Sequence, residues 1–280
     1  MAPPPPPPQP LLIRGLRRIA IAPRRLFTHY WLRPRSGYVV SYPKSGRTWL
    51  AIMLATVLAR LSGRPLSLDV HRYADARRGI PRIFFTHDGS GLTKPRPFTG
   101  DKKFYRHKPV LLLVRDPRDV VVSHYYQVSR RKRRGPIVAD LDSFIRGPLG
   151  IDRVIAFMNA WAAHRTVPGR FAILRYEELH ADRTEGLRRC AEFFAIPGMT
   201  EPVLAEGVAA GSFERMQAME AGRLLGDPRL QPRDAADPDS FKVRRGRMGG
   251  FKDELTAAQI GYLDERIRAH LDPFFGYEHA

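Results

Sequence analysis

The 280-residue chain has one cysteine, Cys190, so no intramolecular disulfide framework can hold it and its fold must come from a packed core. That scarcity fits a reducing cytoplasm, and Cys190 itself is expected as a small buried residue on a helix. No apolar run approaches the ~18 residues a bilayer-spanning helix needs, which argues against a membrane crossing. Acidic residues are also short: 28 Asp plus Glu stand against 47 Lys plus Arg, a net charge of +19. Such a balance seeks anionic partners, among them nucleic acid, anionic lipid and small polyanionic cofactors, and it says nothing of fold. Hydrophobic residues make up 43% of the chain, ample for one main domain with a buried core.

Composition divides the chain near residue 36. The N-terminal stretch opens on polyproline, which favours an extended conformation, and continues with Leu11, Leu12, Ile13, Leu16 and Ile19 among Arg14, Arg17 and Arg18. It lacks the uninterrupted apolar stretch and small-residue cleavage site of a signal peptide. Residues 1–36 therefore read as a proline-rich, basic arm. It is either flexible, packed on the domain, or laid on anionic lipid as a peripheral membrane contact. Residues 37–280 read as the domain.

Within the domain, strand and helix patterns alternate. "GYVVSY", "PRIFFTH" and "GRFAILRYEEL" read as strands, and "KPVLLLVRDP" has the continuous apolar character of a parallel strand covered on both faces. Between and after them, "TWLAIMLATVLARLSG", "PRDVVVSHYYQVSRRKRR", "IDRVIAFMNAWAAHRTV", "ADRTEGLRRCAEFFAI" and "TAAQIGYLDERIRAHLD", up to Pro273, have helical spacing. Asp116 and Pro117 form a cap and first-turn pair for the second of these helices. This order predicts an α/β fold with a central, mostly parallel sheet flanked by helices. Residues 222–250 have little periodicity and many Arg, Asp, Gly and Pro, the composition of a long surface loop with a function.

Ligands of open α/β sheets bind beyond the carboxyl ends of the strands, and four polar clusters fall there. The first is "SYPKSGRTW": the backbone N–H groups of the turn and of the following helix start favour an oxyanion, and Lys44 adds a full charge beside Ser45, Arg47 and Thr48. A nucleotide-triphosphate loop, G-x-x-x-x-G-K-[ST], would need glycines where the chain has Tyr38 and Pro43, so only the Lys-Ser pair matches. The second cluster is Arg115 at a strand end with Ser123 some two turns along the next helix, a pair able to share a phosphate. The third is His87 just past "PRIFFT", where an imidazole can take a proton. The fourth is "KVRRGRMGG", where Arg244, Arg245 and Arg247 sit among glycines, Gly246 included, in a segment that either wraps a phosphate or is a solvated basic run.

Together these residues resemble the sulfotransferases of the cytosolic type that use 3′-phosphoadenosine 5′-phosphosulfate (PAPS). "YPKSGRTW" is similar to the 5′-phosphosulfate loop of that family and "VRDPRDVVVSHYY" to its 3′-phosphate motif, in matching order from about residue 37 to 275. The resemblance implies a P-loop-like α/β fold and an enzyme that moves a sulfuryl group from PAPS to a hydroxyl or amine acceptor. It implies Lys44 on the leaving phosphate and His87 as general base. Ser45, Gly46, Arg47 and Thr48 would surround the 5′-phosphate, with Trp49, Tyr176 and Phe213 on the adenine. Arg115, Ser123, Arg244, Arg245 and Gly246 would hold the 3′-phosphate. No metal is expected, because fixed cations neutralise the charge. The acceptor is left open among small molecules, lipids and glycans, with no specific nucleic acid as partner. "SRRKRRGPIVADLD" hints at an anionic acceptor.

Three departures stand out. Arg47 occupies a common threonine position, Phe85 stands where a lysine often precedes the catalytic histidine by two, and Gly211 replaces a threonine. The rival reading is a non-catalytic basic protein that binds nucleic acid or anionic membrane and loses affinity steeply with salt.

Overall fold

The structure, a computed structural model, describes residues 36–90, 101–131, 140–222, 226–227, 230–232, 234, 237–242 and 246–277. The proline-rich arm up to residue 35 lies outside the described residues, as do Arg244, Arg245 and residues 132–139 of the basic stretch.

The four apolar runs form one parallel sheet: β1 (Ser36–Ser41), β2 (Arg82–Thr86), β3 (Pro109–Val114) and β4 (Arg170–Arg175), in the order β2-β1-β3-β4. Val39 of β1 lies between Phe85 of β2 and Leu111 of β3, and Leu112 faces Ile173 of β4. Because successive side chains of a strand point to opposite faces, each run serves two cores. Val39, Leu111, Leu113 and Leu174 enter one, while Tyr38, Val40, Val110, Leu112 and Val114 enter the other. This is why the β3 run shows no polar alternation.

Helices cover both faces. On the first lie α1 (Arg47–Ser62), α6 (Arg183–Phe193) and α7 (Glu201–Ala210); on the second, α2 (Pro117–Tyr126), α4 (Ile151–Ala163) and α9 (Ala257–His270). The shorter α3 (Leu141–Arg146), α5 (Tyr176–Ala181) and α8 (Phe213–Ala221) link them. Cys190 is buried on α6, where burial pushes its thiol pKa up. The α1 helix stops where Gly63 takes φ 70° and donates its N–H to the Ala59 carbonyl. The Asp116 side chain accepts the Arg118 N–H at 2.8 Å, with Pro117 in the first turn, so the cap foreseen in the sequence is present. Among the described residues no helix is long and apolar enough to cross a membrane.

Three local readings need correction. The α2 helix keeps α geometry only to Tyr126, then widens into a π turn over Gln127–Arg131. The fourth strand ends at Arg175, where its ladder with β3 ends, and "YEEL" starts α5 instead. Glu177 and Glu178 then sit in a first turn, where the helix dipole favours them, and Glu177 accepts the Asp116 N–H at 2.9 Å and the Tyr277 hydroxyl at 2.8 Å. Finally, residues 222–250 are not simply a surface loop: Leu230 and Ser240 are buried.

Candidate active site

All four strands deliver a residue to one cavity of about 440 Å³ at the carboxyl edge of the sheet. Lys44 follows β1, His87 follows β2, Arg115 follows β3 and Tyr176 follows β4. The chain passes from β1 outward to β2 and then back across to β3, so the strand order reverses beside β1, where a crevice opens.

The loop after β1 has unusual backbone geometry. Lys44 has φ +76° and Gly46 φ +91°. A side chain rarely adopts the left-handed region, and such strain is kept where the surroundings over-determine it. At Gly46 the reason is visible: a Cβ there would stand 2.6 Å from Cδ2 of Tyr176. Gly46 caps α1 without a side-chain hydrogen bond, and no acidic residue lies in the first turn. The N–H groups at the helix start, with Arg47 and Thr48 on the cavity wall, therefore form a cradle for an anion. Ser45 stands behind this loop, buried, with its N–H donated to the Tyr42 carbonyl at 3.4 Å. The Lys44 Nζ donates to Oε1 of Gln127, at the start of the π turn, at 3.1 Å.

Arg115 lines the same cavity from the end of β3. Its guanidinium lies 4.3 Å from the Tyr176 ring centroid, and Nη2 donates to Asp119 Oδ2 at 3.1 Å and to the Arg247 carbonyl at 3.2 Å. Its Nε is buried and has no hydrogen-bond partner among the described residues, a donor that an anionic ligand would satisfy. Ser123 lines the same wall.

The aromatic side is formed by Trp49, Tyr176 and Phe213. Trp49 and Tyr176 are 5.2 Å apart between centroids, and Trp49 Nε1 donates to the Gly211 carbonyl at 2.7 Å. Gly246, at φ +60°, packs so close to Phe213 that a Cβ would meet its ring at 2.5 Å, and the Gly246 carbonyl accepts from His180 Nε2 at 2.8 Å.

His87 completes the cavity. Its Nδ1 lies 2.9 Å from the Ser41 carbonyl, which can only accept, so Nδ1 carries the proton and Nε2 keeps its lone pair. Burial pushes the imidazole pKa down to about 3, Arg47 adds to the fall, the Ser41 hydrogen bond opposes it, and Lys242 and His124 lower it further. The ring is neutral at physiological pH, as a base requires. The next residue, Asp88, has φ +49° and is gripped by Lys102 Nζ at 2.5 Å and the Tyr105 hydroxyl at 2.9 Å.

Several wall residues were not foreseen. Asp119 takes Arg115 and Gly249 N–H on Oδ2, and Phe251 N–H on Oδ1 at 3.1 Å, so one carboxylate ties α2 to the returning loop. Its i, i+4 spacing from Arg115 was the available signal. Gln127 and Lys242 also line the cavity, and the periodicity of the sequence marks neither, whereas Arg247, expected in the basic glycine-rich segment, lines it too. Among the described residues no cluster of three or more His, Cys, Asp or Glu could hold a metal ion.

A family model described as "Sulfotransferase domain" matches residues 35–275. The chain belongs to that family, and it is a sulfotransferase. It is 28% identical to Cytosolic sulfotransferase 16 of Arabidopsis thaliana, with 86% of this chain and 78% of the relative covered. It is 27% identical to Sulfotransferase 2B1 of Rattus norvegicus, with 87% and 73% covered. A crystal structure of retinol dehydratase in complex with androsterone and the inactive cofactor PAP shares the fold at a TM-score of 0.59 and 18% identity, with 85% of this chain and 81% of that one covered.

Two departures of this sulfotransferase from the family pattern now have physical accounts. Gly211 has no room for a side chain, since a Cβ would lie 2.6 Å from Met53 Cγ and 3.0 Å from Trp49 Nε1. Phe85 packs on the core of the first sheet face and brings nothing charged to the cavity. The rival reading of a non-catalytic basic binder gives way to the family membership.

Proposed function

We propose that the cavity binds PAPS, with the phosphosulfate at Lys44, Gly46, Arg47 and Thr48, the adenine between Trp49, Tyr176 and Phe213, and the 3′-phosphate at Arg115 and Ser123. The observation that carries this reading is the meeting of two cations, Lys44 after β1 and Arg115 after β3, with Trp49, Tyr176 and Phe213 in one cavity. Arg244, Arg245 and Gly246 are assigned to the 3′-phosphate by their place in the sequence, and Ser45 to the phosphosulfate loop as its buried support. When bound, the donor supplies a sulfuryl group whose sulfur bonds to the acceptor as its bond to the bridging oxygen breaks, leaving the electron pair on the 5′-phosphate.

The chain's own residues divide the remaining work. Neutral His87 takes the acceptor's hydroxyl or amine proton at Nε2, and the Ser41 carbonyl holds the ring by Nδ1 while it does so. Lys44 and the α1 N-terminus lie where negative charge grows on the departing phosphate. We assign as acceptor a small molecule bearing a hydroxyl, with lipid and glycan hydroxyls as further arms of a screen. We place the protein in the cytoplasm, on its single cysteine and its kinship with a relative named as cytosolic.

The test of the binding mode is the 3′-phosphate. Arg115→Ala is expected to weaken adenosine 3′,5′-bisphosphate (PAP) by about 10–100-fold, the worth of a charge-assisted hydrogen bond, while AMP, which lacks the 3′-phosphate, loses little. Calorimetric titration of both nucleotides into wild type and variant checks this. Equal losses for PAP and AMP would place Arg115 elsewhere.

A further inference from the structure

Transfer of a sulfuryl group concentrates negative charge on three oxygens that travel between donor and acceptor, and a site that accelerates the step must hold them with fixed donors. Position 85 supplies none, because Phe85 lies beside Val39 in the sheet and packs into the core. The cavity that His87 lines also holds Arg47 and Lys242, two cations that reach it from different elements. Arg47 is the first residue of α1, directly after the Gly46 turn. Lys242 comes from the loop after α8, and its backbone N–H donates at 2.6 Å to Oε1 of Glu220, a fully buried carboxylate. That anchor fixes where the lysine enters the cavity.

We propose that Arg47 and Lys242 are catalytic residues that grip the sulfuryl oxygens during transfer and so take the place of the cation Phe85 does not provide. The proposal rests on the PAPS reading of the cavity. Three further observations support it. Both cations line the same cavity as His87 and lower its proton affinity, Arg47 more than Lys242. Arg115, the cation that follows β3, is engaged with Asp119 and the Arg247 carbonyl. A guanidinium next to the base also costs base strength, a cost offset only when an anionic group sits between the two. The arginine at a position where the family commonly has threonine thus gains a task.

The sulfuryl group is present in PAPS and missing from PAP, so a contact to it must appear as a difference between the two affinities. Titration of the full chain with PAPS and with PAP, without acceptor, is to be compared for wild type, Arg47→Thr, Lys242→Met and the double variant. The double variant is expected to lose about 10–100-fold more in PAPS affinity than in PAP affinity, the loss common to both being the part of Arg47 that meets the shared 5′-phosphate. Arg47→Lys, which keeps the charge, is expected to keep most of the preference. Equal loss of PAPS and PAP, or no loss of either, overturns the assignment, since a residue that only shapes the loop would move both together. If wild type binds neither nucleotide, the donor reading itself fails and the inference with it.

Discussion

Lys44→Ala is expected to lower kcat by about 10²–10³-fold, the usual cost of removing one fixed donor from a developing oxyanion. The lysine sits at φ +76° in the five-residue segment between a buried strand and a helix start, a position with no packing reward for a long charged side chain. Its ammonium reaches into the cavity toward Gln127 rather than into solvent. Because the charge it faces grows as the bond to sulfur breaks, its removal acts on the transition state more than on the bound donor. Affinity for PAP is therefore expected to fall far less than kcat. Steady-state kinetics together with a PAP titration separate the two, and a Lys44→Ala enzyme with near-normal turnover would sink the assignment.

The second large effect is at His87. Replacement by asparagine keeps a side chain able to donate to the Ser41 carbonyl and removes the lone pair at Nε2, so kcat is expected to fall by about 10²–10⁴-fold with the fold retained. The pH dependence has a defined sign. A histidine whose pKa falls from an ordinary 6.5 to about 3 on folding binds its proton only in the unfolded chain over that interval. Its contribution to stability is whole above pH 6.5 and is lost as pH falls toward 3. In the free enzyme the base form is present throughout this range, so kcat/KM for the donor should have no histidine limb between pH 5 and 8. A limb near 6.5 would mean that the ring is exposed and that burial and Arg47 do not act on it.

Much of this site could be read from the sequence, because its residues follow directly on apolar runs. Lys44, His87 and Arg115 were found from strand ends, and the Asp116-Pro117 cap fixed where α2 begins. Residues that act through long-range contact left weaker traces. Gln127 meets Lys44 at the start of a π turn, 83 positions along the chain, which no spacing announces. Lys242 arrives from an aperiodic loop and is placed by a hydrogen bond to Glu220, 22 positions away. Tyr176 lines the cavity from the start of a helix and not from a strand: "LRYEEL" has strand-like character up to the tyrosine, and the helix begins where the β3 ladder ends. Gly211 is explained by the crowding of Met53 and Trp49, which only the folded chain brings together.

The most direct test is transfer itself. The purified full chain, incubated with sulfur-labelled PAPS and in parallel with γ-labelled ATP, is offered 2-naphthol, androsterone and retinol as hydroxyl acceptors, with glycan and lipid alcohols added. The account predicts label on an acceptor hydroxyl with release of PAP in equal amount, no use of ATP, and loss of both signals in His87→Asn. Label moving from ATP, or PAPS left intact while the chain binds it, would contradict the account.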